Sequence, residues 1–156
     1  MSTSVQSVVS VHDVAAYILQ RLGPMTAMKR QKLVYYSQAW SVVWDQRPLF
    51  DERIEAWANG PVVRDLYETH RGQFMVDRWP KGSPDRLDHE AKSTLDAVLA
   101  YYGDRSPQWL SDLTHLEDPW RRARHGLEPG ERGDSEITCD SLAEYYGGLP
   151  PNGEQQ

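Results

Sequence analysis

Apolar residues recur every three or four positions near the start of the chain, which is the spacing of an amphipathic helix. After Ser10, the residues at this spacing are Val14, Ala15, Ile18 and Leu22. An aspartate three positions after the serine is typical of a capped helix start, and the Gly-Pro pair directly after Leu22 ends the run. The pattern predicts a first helix between these signals.

A second helix is predicted over residues 26–45, before Pro48. Its apolar stripe consists of Leu33, Tyr36, Trp40, Val43 and Trp44. Tyr35 stands beside Tyr36, so the rings of this helix occupy several faces and do not fit one buried stripe. We therefore expect part of its aromatic surface to remain exposed.

The hydrophobic period changes at residues 49–57. Phe50, Ile54 and Ala56 fall on one parity while charged residues fall on the other, which predicts a short strand. Asn59-Gly60-Pro61 then predicts a turn leading into a helix with Pro61 at its first position, ended by Gly72. A second short strand over residues 74–79 is expected to pair with the first.

The second half of the chain is dominated by helix signals. Asp88, Ser106 and Thr138 are predicted N-caps, and Asp118 is predicted to cap a short helix that carries Arg121, Arg122 and Arg124 on its outer face. Residues 80–87 are predicted to be a flexible link, and residues 126–136 a loop.

These elements predict a mainly α fold, a single compact helical domain of about six helices with one small β-hairpin. The predicted organisation is a flexible N-terminus at residues 1–10, the helical domain at 11–146 and a polar tail at 147–156. The length of 156 residues suits one domain. The chain begins without a basic leader and has no long apolar run, so we expect a soluble, cytoplasmic protein without membrane contact.

Charge is unevenly distributed along the sequence. The net charge of −6 divides into +1 for residues 1–79 and −7 for residues 80–156. An acidic surface repels phosphate backbones, which disfavours nucleic acid, and it favours a basic partner. An ordinary solubilising surface is an equally weighted alternative.

Two basic groups, one at residues 29–32 and one at residues 121–124, are flanked by aromatic residues. Such groups are found where nucleic-acid bases stack, but also on ordinary solvated helix faces. We interpret both as solvated faces, with a groove for an acidic peptide as the next alternative.

Motifs for catalysis or cofactor binding are sparse, and no cofactor is expected. The glycines are isolated and Cys139 stands alone. His115, Glu117 and Asp118 are close in sequence and could form a metal or acid–base site of a hydrolase. Alternatively, His115 binds a backbone group and Asp118 caps a helix.

Three segments carry a family resemblance: KLVYYSQAW at residues 32–40, IEAWANGPVVRDLYETHRG at residues 54–72 and LSDLTHLEDPWRRAR at residues 110–124. In this order they resemble the Panacea domain, also called the SocA-like antitoxin domain. The likeness spans about residues 11–146, and its most specific part is AW-x-NGPVV-x-x-LY at residues 56–67.

The resemblance implies a mainly helical antitoxin from a type II-like, often prophage-associated toxin–antitoxin pair. Such a protein binds and neutralises a cognate protein toxin, for instance a small alarmone synthetase or another growth inhibitor, and the family brings no catalytic motif. An adaptor that delivers a toxin to a Clp-type protease, with the tail at residues 149–156 as tether, is the alternative. A metal-dependent hydrolase ranks third.

Partner contacts are expected from exposed aromatic and arginine side chains, which dominate binding energy at protein interfaces. The predicted anchors are Tyr35, Trp40, Trp44, Arg64, Tyr67 and Trp120.

Overall fold

The structure is a computed structural model, and it describes residues 9–79 and 81–149. The helices are α1 Val11–Leu22, α2 Ala27–Trp44, α3 Arg64–His70, α4 His89–Tyr102, α5 Pro107–Leu116, α6 Asp118–Ala123 and α7 Cys139–Gly147, with a 3₁₀ helix at Pro84–Arg86. The strands are β1 Met25–Thr26, β2 Ile54–Trp57, β3 Gly60–Val63, β4 Met75–Val76 and β5 Glu136–Ile137. The mainly α fold is therefore confirmed, with more strand pairing than the single predicted hairpin.

Helix α2 is the centre of the fold. Helices α1, α4, α5 and α7 and strand β3 all pack against it. Leu33, Tyr35 and Tyr36 point in different directions because successive residues turn by about 100° around a helix, yet all three are buried. The expectation of exposed rings on this helix is wrong for Tyr35, which is 1% exposed, but it holds for Trp44, which is 50% exposed.

Two buried glutamines of α2 bind the main chain of neighbouring segments. The Gln38 amide donates to the Phe50 carbonyl at 2.9 Å and its oxygen accepts from the Leu49 amide at 2.7 Å. Gln31 grips Val63 in the same way, with its oxygen 2.9 Å from the Val63 amide nitrogen. These bonds replace the hydrogen bonds to water that the backbone groups lose on burial. They hold β3, and residues 49–50 before β2, against α2.

The sheet corrects the prediction for residues 59–63. Strands β2 and β3 form a hairpin with Trp57 opposite Gly60, and Pro61 lies opposite Ala56. Pro61 does not begin a helix, because it lies in the outer strand of the order β3-β2-β5, where its missing N–H is tolerated. Helix α3 begins only at Arg64.

The predicted pairing of residues 74–79 with residues 49–57 is also wrong. Strand β4 pairs with β1, and the second neighbour of β2 is β5, at the end of the predicted loop. These pairs join segments that are far apart in sequence, so local signals do not encode them.

The predicted helix caps are mostly confirmed. Ser10 and Asp13 form a capping box, and the side chains of Asp88, Ser106 and Thr138 each accept a bond from the first turn of their helix. Asp118 is not an N-cap, because Glu117 occupies that position.

Arg124 is buried, which corrects its predicted outward orientation. Its guanidinium donates to the carbonyls of Ala56 at 3.1 Å and Glu131 at 2.6 Å. These two bonds join strand β2 to the loop at residues 126–136.

The predicted link and tails are only partly described. Residues 81–87 lie against α1, where the Ser83 amide donates to the buried carboxylate of Asp13 at 2.7 Å. Helix α7 extends to Gly147, one residue into the predicted tail. Residues 1–8 and 150–156, which make up most of the predicted flexible ends, lie outside the described residues.

Replacing Gln38 with leucine is expected to lower the free energy of unfolding by about 3 kcal/mol, because buried groups of Leu49 and Phe50 lose their partners. Urea denaturation measures this loss. The matched control is Gln108→Leu on α5, whose side chain is exposed and donates to Asp112 at 2.8 Å. We expect it to change stability by less than about 0.5 kcal/mol; equal losses in the two variants would contradict the proposed role of Gln38.

Candidate functional site

Three of the six predicted anchors lie on α2 at some distance from the others. Tyr35 is buried, with its hydroxyl 3.0 Å from that of Tyr146, so it is not available to a partner. Trp40 is half-buried and donates to the Tyr102 hydroxyl at 3.1 Å. Trp44 stacks on Trp40 with ring centroids 5.1 Å apart, and it is the one of these three rings that presents a large exposed face.

Arg64 and Tyr67 line a cleft with a volume of about 770 Å³. Its walls are the first turns of α2, the β2–β3 turn, α3 and the loop at residues 132–134. The β2–β3 turn and α3 thus meet the central helix α2 at this cleft, and we take the cleft as the candidate site.

An aromatic pair forms one wall of the cleft. The rings of Trp57 and Tyr67 meet edge to face at 4.9 Å, and the Arg64 guanidinium lies 5.5 Å from the Trp57 ring centroid. The backbone carbonyl of Trp57 accepts a bond of 2.8 Å from the Trp120 indole, which is half-buried against His115. Trp120 therefore supports the wall and exposes only part of its ring.

Glu55 fixes this wall from behind. It is buried and accepts bonds from Arg64 at 3.0 Å, Arg53 at 3.2 Å and the Trp57 indole at 2.8 Å. Burial alone would raise the pKa of Glu55, but the bonds and charge of Arg64 and the Trp57 bond outweigh it and hold the pKa below its usual value. The alternation of apolar and charged residues predicted that Glu55 lies on the exposed face of its strand, so sequence reasoning did not identify this buried role.

Lys32 lies at the base of the cleft and is 2% exposed. Its ammonium makes one long bond of 3.4 Å to the Pro61 carbonyl. Burial lowers the pKa of Lys32 to about 8, and within residues 9–79 and 81–149 no carboxylate contributes to that value. The prediction of a solvated basic face at residues 29–32 is thus wrong for Lys32 and for Arg30, which is fully buried against the Trp79 ring.

An apolar rim lies beside the cleft, and we define it as Met28, Phe74 and Met75. These side chains are 43%, 78% and 51% exposed, respectively. The pairing of β1 with β4, and a bond of 2.9 Å from the Ala27 amide to the Phe74 carbonyl, hold the rim at the start of α2. Met28 also lines the cleft, so the rim and the cleft share this residue.

The cleft carries an excess of positive charge in a chain whose net charge is −6. Its charged lining residues are basic Lys32, Arg64, Arg71 and Arg132 and acidic Glu68 and Asp134. A local field opposite to that of the whole protein favours an acidic group at this position.

The candidate hydrolase residues point away from one another. His115 Nδ1 lies 2.6 Å from the Ser111 carbonyl oxygen, as the backbone-binding alternative predicted, and Asp118 pairs with Arg122 at 3.8 Å. Glu117 points into the core instead. Within the described part of the chain, no three His, Cys, Asp or Glu side chains form a group suited to a metal ion.

The Glu117 carboxylate is part of a buried tyrosine network. One of its oxygens accepts bonds of 2.7 Å from the hydroxyls of both Tyr36 and Tyr146. Burial raises the pKa of Glu117 to about 7, against the opposing effect of these two bonds. The network joins α2, α7 and the start of α6 through side chains that are 29 or more residues apart in sequence.

Comparison with protein families identifies the domain. The sequence profile described as "Antitoxin SocA-like, Panacea domain" matches residues 31–121, more than half of the chain. The chain belongs to the SocA-like, Panacea-domain antitoxin family. Neither the comparison with curated proteins nor the comparison with solved structures gives a match.

The Panacea match runs from within α2 to within α6. It includes Lys32, the β2–β3 hairpin, α3 and the rim residues Phe74 and Met75, whereas α1, α7 and the loop at residues 132–134 lie outside it. The match is thus shorter than the resemblance over residues 11–146. In the described residues, no helix is both long and apolar enough to cross a membrane.

Replacing Glu117 with glutamine is expected to remove a pH-dependent loss of stability. The folded pKa of about 7 lies above the ordinary value of 4.5, so wild type loses up to about 3 kcal/mol of unfolding free energy as pH rises from 4.5 to 7. Denaturation at pH 4.5 and 7.5 should therefore show that the free energy of unfolding of Glu117→Gln rises relative to that of wild type at the higher pH. A constant difference between the two proteins would argue against the raised pKa.

Replacing Lys32 with methionine is expected to stabilise the free protein by up to about 3 kcal/mol at pH 7, because an unpaired buried charge is removed while the apolar stem is kept. The folded pKa is below the ordinary value, so wild type should gain stability relative to the variant as pH rises from about 8 to 10.5. Urea denaturation across this range measures both effects. A variant less stable than wild type at pH 7 would show that Lys32 is structurally required.

Proposed function

We propose that this antitoxin-family protein binds and neutralises a cognate protein toxin by direct contact and without catalysis. The contact surface is the cleft together with the apolar rim of Met28, Phe74 and Met75. The single observation that carries this proposal is that an exposed apolar rim shares Met28 with a concave, charged cleft on a domain of the SocA-like antitoxin family.

Exposed apolar groups favour association because covering them removes apolar surface from water. Phe74 is 78% exposed, and the 51% exposed Met75 follows it directly. Aromatic and methionine side chains are enriched at the centres of protein interfaces. A partner that covers the rim also reaches Trp57 and Tyr67 in the adjoining cleft.

The charged residues of the cleft fix the orientation of the partner in this apolar contact. Arg64 is held by two buried oxygens of Glu55, so its guanidinium presents a fixed edge to a partner. A preordered side chain loses little conformational entropy on binding. Trp44, whose side chain is 50% exposed, does not line the cleft.

Growth rescue tests the proposal. The neighbouring open reading frame is expressed in a bacterial host alone, with the wild-type chain, or with a variant. We expect arrest alone and growth with wild type. Phe74→Ser should weaken the complex at least tenfold and reduce rescue, because truncation of an interface anchor costs about 2 kcal/mol or more, and tenfold corresponds to about 1.4 kcal/mol.

Leu116→Ser is the matched control, since Leu116 is 69% exposed and does not line the cleft. It should rescue growth as wild type does. Equal arrest with and without the wild-type chain would refute neutralisation, and equal rescue by both variants would exclude the rim. The half-life of the toxin discriminates the protease-adaptor alternative, because an adaptor shortens it and an inhibitor does not.

A further inference from the structure

We propose that the cleft receives a carboxylate side chain of the partner polypeptide, with the Lys32 ammonium as its counter-ion. This inference rests on the proposed function, since it gives the chemistry of the same contact. It identifies Lys32 as a specificity-determining residue at the base of the cleft.

Lys32 has unused bonding capacity. An ammonium group has three donors, and the Lys32 ammonium has one long bond to the Pro61 carbonyl. Buried cations in proteins are normally paired, because desolvation disfavours the charged form. A partner carboxylate placed in the cleft would supply the missing charge and the missing acceptors.

The β2–β3 turn holds the lysine in place. Gly60 has a φ of +127°, and a Cβ atom there would lie 2.7 Å from Lys32 Cε and 3.1 Å from Nζ. The absence of a side chain at Gly60 therefore leaves room for the lysine stem beneath the turn. Its ammonium is positioned by the fold before any partner arrives.

Two of the cleft arginines already have acidic partners within the chain. Arg64 pairs with Glu55 at 3.0 Å, and Arg71 pairs with Glu68 at 3.6 Å. These pairs reduce the attraction of both arginines for an added anion. For Lys32 the described residues provide no such carboxylate, so its charge is available to an added anion.

The surroundings favour a carboxylate on a polypeptide over a phosphate group. Trp57 and Tyr67 provide an apolar wall for the methylene groups of an acidic side chain. The apolar rim beside the cleft can contact apolar residues that neighbour the acidic residue in the partner polypeptide.

Binding should depend on pH in a specific way. The Lys32 ammonium loses its proton near pH 8 in the free protein, and a bound carboxylate raises that value because it favours the charged form. Affinity is therefore constant between about pH 6, where the partner carboxylate is ionised, and about pH 8, and it falls as pH rises further, by up to about tenfold per pH unit until the pKa of the complex is reached. A purely structural lysine would give no such dependence.

The test uses a peptide-display library of random dodecamers, selected at pH 7 on the whole wild-type chain and on Lys32→Met. A selected peptide and a copy with its acidic residue replaced by the amide are then synthesised, and their affinities are measured at pH 7 and 9.5. Lys92→Met is the matched control, because it removes one lysine charge from α4, outside the cleft. Inorganic phosphate is titrated against each protein.

We expect wild type and Lys92→Met to enrich peptides with aspartate or glutamate beside apolar residues, and Lys32→Met to lose that enrichment. The amide copy should bind at least tenfold more weakly to wild type, and the pH dependence should vanish in Lys32→Met. No acidic enrichment, equal affinity of the two peptides, or tighter binding of phosphate than of the acidic peptide would overturn the assignment. Growth rescue separates the two proposals: normal rescue by Lys32→Met with unchanged toxin affinity refutes the carboxylate contact alone, whereas absent rescue by wild type refutes neutralisation.

Discussion

Enclosure of α2 by other elements on most of its faces is the constraint on which the rest of the structure depends. A helix in this position must satisfy its polar side chains internally, since water cannot reach them. Gln31 and Gln38 do so by binding the backbone of β3 and of the approach to β2. Tyr36 does so through Glu117. The polar residues of α2 therefore determine where the surrounding segments lie, and with them the walls of the cleft.

Two buried cations of α2 meet this constraint differently. Arg30 places its guanidinium 3.7 Å from the centroid of the Trp79 ring, and the ring face compensates part of its lost hydration. In the part of the chain that the structure describes, the Lys32 ammonium has one hydrogen bond, to a carbonyl, and its side chain lines the cleft. In the proposed carboxylate contact, a partner that brings a negative charge would recover free energy that is lost when this charge is buried.

The proposed neutralisation rests on the antitoxin family and on the surface chemistry of the cleft and rim. A neutralising protein must cover part of another protein, and the apolar rim beside the charged cleft combines apolar area with orientation. The Panacea match contains the hairpin, α3 and the lysine. The loop at residues 132–134, which completes the cleft with Arg132 and Asp134, lies outside the match, so the cleft combines matched and unmatched parts of the chain.

The sequence by itself determined the local features of this protein. The Ser10 capping box, the caps at Asp88 and Thr138 and the family motif at residues 56–67 depend on residues close together in the chain, so short patterns encode them. Only the tertiary structure decided that β2 lies beside β5, that Tyr35 is buried and that Lys32 is buried in the lining of a cleft. These outcomes depend on which distant segments cover α2, and helical periodicity assumes one buried face, whereas this helix is covered on nearly all sides.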